Sequence, residues 1–216
     1  YNTLESVYSK SNSRYLKSGS QIELHFTDTG PRDAPILVLV HGYSASLNTW
    51  DAWVRNLRKD YRVIRLDLPG HGLSRCVDND ETGIEQFIAS IDRVTHSLDV
   101  DQFTLVGSSM GGHTAWAYAL AHPDRLDGLV LVDAAGWLSA PGEDDKDPVI
   151  FKLLRNGFAR NVMKDLDMSA LIRSGLENSF ADPELVTDEM VERYSAMSRA
   201  PCHREALLKY SFFIFE

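Results

Sequence analysis

The sequence predicts an α/β fold: a mainly parallel sheet with helices on both faces, followed by a helical region. Strand-like stretches, apolar throughout at 36–40 and largely apolar at 63–66, 103–106 and 128–132, alternate with longer stretches of helical periodicity. That alternation marks βαβ units, whose central strands are covered on both faces and joined by right-handed crossovers. Each apolar stretch runs into a turn bearing glycine or aspartate, and beyond residue 136 only helix-type patterns recur.

Residues 1–20 are polar and predict no core element. Ile22, Leu24 and Phe26 then alternate with Glu23 and His25, the period of a half-buried strand, until Thr27-Asp28-Thr29-Gly30-Pro31 breaks the pattern. The strand at 36–40 ends at His41-Gly42. An amphipathic segment at 47–59 places Trp50, Trp53, Val54 and Leu57 at helical spacing. The strand at 63–66 leads into Asp67-Leu68-Pro69-Gly70-His71-Gly72, and a helix at 83–98 carries Ile84, Phe87, Ile88, Ile91 and Val94 on one face. The strand at 103–106 enters an alanine-rich helix that His122-Pro123-Asp124 ends, and the strand at 128–132 ends at Asp133-Ala134-Ala135-Gly136. The loop at 137–147, with its acidic run Glu143-Asp144-Asp145-Lys146-Asp147, reads as a solvated linker. Helical patterns follow at 148–165, 168–179, 187–198 and 202–214. The domains are therefore expected at 1–136 for the core and 137–216 for a helical cap.

A chain of 216 residues with 44% hydrophobic composition can bury one sizeable core. Its formal net charge of -9 disfavours nucleic acid and anionic lipid, both of which need clustered Lys and Arg. A small-molecule substrate fits better. Cys76 and Cys202 are too few and too far apart for a disulfide framework or a paired-cysteine metal site, so each reads as a plain thiol and no metal or cofactor is expected. No apolar run approaches the roughly 20 residues that span a bilayer. The first residue is Tyr1, so an export signal removed upstream leaves the compartment open, with the cytoplasm slightly favoured.

The most specific motif is Gly107-Ser108-Ser109-Met110-Gly111-Gly112. A serine on a sharp strand-to-helix turn needs glycines two residues before and two after it, because side chains there would collide with the bent backbone. Only Ser109 is centred between Gly107 and Gly111. The β-favouring strand before it and the small-residue helix after it supply the required context, so Ser109 is the expected nucleophile.

Together, Val40-His41-Gly42-Tyr43, Asp67 to Ser74, the Ser109 turn and Val130 to Gly136 resemble the α/β-hydrolase fold family, and its capped serine members in particular. The resemblance covers residues 20–136 strongly. It implies an oxyanion hole made by the backbone N–H groups of Tyr43 and Met110, with Gly42 allowing a close approach and His41 shaping the loop. Serine rather than aspartate at the nucleophile position argues against dehalogenase and epoxide hydrolase chemistry.

The family order of serine, then acid, then histidine is not completed in an obvious way. The resemblance therefore implies that this is the N-terminal portion of a longer chain, lacking its last core strands and little active by itself. A second chain, a swapped copy or further residues would then cover the open sheet edge. Within the 216 residues the reserve acid is Asp133, at a strand end, and the reserve base is His203, in the cap. His113 and His122 lie on the helix that runs away from the serine. Among the apolar residues of the cap region are Trp137, Phe151, Phe158, Leu171 and Leu176, and most are expected to be packing residues. The leading expectation is hydrolysis of a small carboxylic ester through an acyl-enzyme on Ser109. Carbon–carbon hydrolysis of a ring-cleavage keto acid, or a non-catalytic binding module, are the alternatives.

Overall fold

Four parallel strands, in the order β4-β3-β5-β6, form one side of a six-stranded sheet of order β1-β2-β4-β3-β5-β6. The computed structural model describes residues 2–18, 22–76, 83–136 and 167–207. The strands are β1 (Ser13–Ser18), β2 (Ile22–Thr29), β3 (Ile36–Val40), β4 (Arg62–Leu66), β5 (Phe103–Ser108) and β6 (Leu126–Val132). β2 is antiparallel to both β1 and β4. The helices are α1 (Asn2–Tyr8), α2 (Asp51–Leu57), α3 (Ile84–His96), α4 (Met110–Ala121), α5 (Ser169–Ser179) and α6 (Asp188–Ser198).

The central strands bury alternate residues on opposite faces. Val38, Val40, Ile64, Leu66 and Leu105 pack with Phe87, Ile91 and Val94 of α3 and with Met110, Ala115 and Tyr118 of α4. Leu39, Val63 and Val106 pack on the other face with Trp50 and Val54. Largely apolar strands are what this two-sided burial favours. α5 and α6 form a smaller cluster of Leu176, Val186 and Val191, and the Thr187 hydroxyl accepts from the Met190 N–H to cap α6.

Register decides where the site lies. Val40 pairs with Gly107, and Ser108 with Val132. The C-terminal ends of β3, β5 and β6 therefore stand side by side, and the chain leaves them as His41-Gly42, Ser109 and Asp133.

Three sequence expectations change. The polar residues 1–20 do form elements, α1 and β1. β1 is an edge strand, which needs only β2 for pairing and keeps polar side chains in solvent. β2 runs on to Thr29 through the polar residues read as a break, because β4 supplies partners: Arg65 Nε donates to Thr27 Oγ1 at 3.1 Å and Arg62 pairs with Asp28. Third, Cys76 and Cys202 are not plain thiols. They form a disulfide across 126 residues of sequence, with a Cα–Cα distance of 6.2 Å, inside the usual range. The fold brings the turn after β4 against the segment after α6, which no spacing in the sequence reveals. The helices expected at 168–179 and 187–198 are α5 and α6, whereas the pattern at 148–165 lies outside the described residues.

Candidate active site

Ser109 sits between β5 and α4 at φ 53° and ψ -119°, a conformation that costs a non-glycine residue about 1–3 kcal/mol. The surroundings impose it. The Ser109 N–H donates to Val132 O, and Ser109 O accepts from the N–H groups of His113 and Ala135, each at 3.0 Å. A Cβ on Gly107 would lie 2.1 Å from Gly111 O, and one on Gly111 would lie 2.4 Å from the carbonyl oxygens of both Val40 and His41. Two glycines therefore let strand, helix start and the neighbouring strand end meet at one point. A Cβ on Gly42 would stand 3.1 Å from Ser109 Cβ and 3.6 Å from its Oγ, so the β3 loop lies directly against the serine hydroxyl.

The Met110 N–H is one of the first amides of α4, which helix geometry leaves without an intrahelical acceptor. The Tyr43 backbone belongs to the loop that packs on Ser109. Burial raises the Tyr43 phenol well above its ordinary value, so it stays protonated and donates to Leu207 O at 2.7 Å.

His41 is fully buried, and its tautomer is fixed by its partners. The Leu68 N–H donates to Nε2 at 3.0 Å, so the proton is on Nδ1, which donates to Gly42 O at 2.8 Å. Burial lowers its pKa, against opposing pulls from Asp67 and the Gly42 carbonyl. The ring braces the Gly42 loop from behind.

A second support is Asp67, only 1% exposed. Its Oδ2 accepts from His25 Nδ1 at 2.7 Å and from the Leu73 N–H at 2.8 Å, and its Oδ1 from the Leu47 N–H at 2.7 Å. Burial alone would raise its pKa, but the bond and charge of His25, with further help from His41 and Leu73, hold it below the ordinary carboxylate value. Asp67 thereby ties β2, the turn before α2 and the turn after β4 into one frame.

The reserve acid and base are placed differently. Asp133 follows β6 at φ 44°, exposed, and among the described residues no hydrogen bond joins it to the Ser109 hydroxyl. His203 is buried, with Nε2 2.9 Å from Ser74 O and Nδ1 2.9 Å from Met197 O, so both ring nitrogens face backbone carbonyls. Burial lowers its pKa against the pull of those carbonyls. His113 stacks on Trp116 with ring centroids 4.8 Å apart, and His122 Nε2 is 3.5 Å from Asp92 Oδ2. Among the described residues no group of His, Cys, Asp and Glu could hold a metal ion, and no helix is long and apolar enough to cross a membrane.

The alpha/beta hydrolase fold family matches residues 35–202, well over half of the chain. The chain belongs to that family. Its similarity to two relatives, the 2-hydroxy-6-oxononadienedioate/2-hydroxy-6-oxononatrienedioate hydrolases of Escherichia coli K12 and Paraburkholderia phymatum, is 35% identity over 127 and 121 residues. Those stretches are 56% and 54% of this chain but 44% and 42% of the relatives, so the match spans less than half of their length. Among solved structures, Cfl2 from Burkholderia cenocepacia superposes with a TM-score of 0.80 at 21% identity, over 92% of this chain and 69% of that one. A hydrolase from Pseudomonas aeruginosa PA01 gives 0.69 at 26%, over 94% and 72%.

Proposed function

We propose that Ser109 is the nucleophile of a hydrolase that cleaves the bond beside a ketone carbonyl in a ring-cleavage keto acid. The observation that carries the nucleophile is the strained Ser109 turn packed against the Gly42 loop, and the Tyr43 and Met110 N–H groups are the proposed oxyanion donors. The 35% identity to two ring-cleavage hydrolases favours the carbon–carbon bond over the ester that the sequence alone put first.

The Ser109 oxygen attacks the carbonyl carbon and gives up its proton to a base. The carbonyl electron pair moves onto oxygen, where the two N–H groups hold it. The substrate's 2-enol has by then passed its proton to the carbon beside the ketone, so collapse breaks the carbon–carbon bond, the electron pair leaves as a dienolate that takes a proton on its oxygen, and an acyl-serine remains. Water then releases the carboxylic acid and restores Ser109. His203 is not assigned as the base, because its ring nitrogens face Met197 O and Ser74 O rather than the Ser109 hydroxyl.

The test uses the protein as encoded by its gene, with a 2-hydroxy-6-oxo-dienoate followed by loss of its absorbance and p-nitrophenyl acetate in parallel. Dienoate turnover should fall by at least about 10³-fold in Ser109→Ala. Turnover that survives this substitution would remove the nucleophile assignment. Turnover of the acetate with none of the dienoate would return the reading to an esterase.

A further inference from the structure

We propose that the Cys76–Cys202 disulfide is a positioning device for the Tyr43 loop, so that the oxyanion donors are held in place in the oxidised protein and slacken when a dithiol reduces the bond. The catalytic part of this rests on the function proposed above.

Residues 200–207 form a strap over the loop. Cys202 opens it at φ 66°, and the Ala206 N–H donates to Cys202 O at 2.9 Å. His203, Ala206 and Leu207 are all buried, and Ala206 joins the main core cluster beside Met110. Within the strap, Leu207 O accepts the Tyr43 hydroxyl. On the core side the disulfide is rooted in a rigid turn: Ser74 Oγ donates to Asp67 O at 2.6 Å and accepts from the His25 N–H at 2.8 Å, and Ser74 O faces His203 Nε2. The chain of connections runs from Asp67 through Ser74 and Cys76 to Cys202, Leu207 and the Tyr43 side chain. Its far end is the loop whose backbone lies against Ser109.

Among the described residues, the disulfide, the His203 contact with Ser74 O and the Tyr43 hydroxyl on Leu207 O tie the strap to the core. Its covalent link closes a segment of 126 residues, where cross-linking removes the most chain entropy. Reduction transfers two electrons and two protons from the dithiol, which itself closes to a disulfide, and leaves Cys76 and Cys202 as thiols. The strap then loses its covalent tie to the turn after β4 and holds the Tyr43 hydroxyl less tightly. A displacement near 1 Å of a group at the reacting centre costs about 10²-fold in rate.

The experiment treats the protein as encoded by its gene with dithiothreitol and counts alkylated cysteines by intact mass. It then measures hydrogen exchange at residues 41–46 and Ser109-dependent turnover. Cys76 and Cys202 should be alkylated only after reduction. Exchange at 41–46 should then rise about tenfold or more, and kcat should fall by about 10- to 100-fold with KM within about threefold. Tyr43→Phe, which keeps the backbone N–H but removes the anchor, should reproduce the fall in kcat and make reduction cost less than about twofold more. Dithiothreitol on the folded protein and Cys202→Ser give independent routes to the same state. Alkylation of these cysteines without reductant, or unchanged exchange at 41–46 after complete reduction, overturns the proposal. An unchanged kcat in an active, fully reduced enzyme overturns it too. If the oxidised protein has no Ser109-dependent turnover, the proposed function fails, and the exchange measurement still decides whether the strap holds the loop.

Discussion

Replacing Asp67 with Asn tests the frame behind the site. The carboxylate accepts three hydrogen bonds from His25, Leu73 and Leu47 while almost wholly buried. Asparagine keeps the shape but turns one oxygen into an NH₂ group, which cannot accept. With its oxygen left facing His25 and Leu73, the amide nitrogen confronts the Leu47 N–H and strands a buried donor. Losing one charge-assisted bond costs about 1.5–3 kcal/mol, and an unsatisfied buried donor about 1–3 kcal/mol more. The expected loss at pH 7 is therefore about 3–5 kcal/mol, or roughly 10 °C in Tm for a chain of this size. The loss should depend on pH. Because the folded Asp67 pKa is lowered, its contribution is fully present above the unfolded carboxylate value and disappears as pH falls through the folded one. Urea unfolding of both proteins between pH 7 and pH 3 should therefore show the gap narrowing below about pH 4. A loss under about 1 kcal/mol at pH 7, or a gap constant down to pH 3, would refute the reasoning.

Ser109→Gly should raise stability by about 1 kcal/mol, because glycine relieves the positive φ at that turn, while abolishing labelling by a fluorophosphonate probe. A lower Tm or residual labelling at this position counts against the strain assignment or the nucleophile, respectively. Gly111→Ala should cost about 3 kcal/mol or more, since its methyl would meet two backbone carbonyls that cannot swing aside. A Tm within about 2 °C of the parent would show that the turn is looser than the contacts imply.

The Ser109 turn was legible because its constraint is local: glycine spacing, a strand before and small residues after. The strands β3, β4 and β5 were legible because burial on both faces favours apolar residues, whereas the equally apolar β6 leaves Leu129, Val130 and Leu131 exposed at the sheet edge. Asp67 sat in a motif that read as a turn, yet its main partner, His25, is 42 residues away, so its role as a buried acceptor had no local signature. The disulfide was hidden by the same kind of distance. β1 was missed because an edge strand needs backbone partners more than an apolar face, and β2 looked broken at Thr27 because its polar residues find partners only once β4 lies beside them.

The fixed tautomer of His41 has a consequence for proton uptake. A second proton on the ring would have to sit on Nε2, where it would point at the Leu68 N–H, so the folded protein resists that proton. The loop beside Ser109 thus keeps one set of hydrogen bonds as pH falls through the range where histidines ordinarily charge. The unfolded chain has no such restriction and takes the proton there, so acid draws on the stability of the whole fold before it alters the shape of this loop.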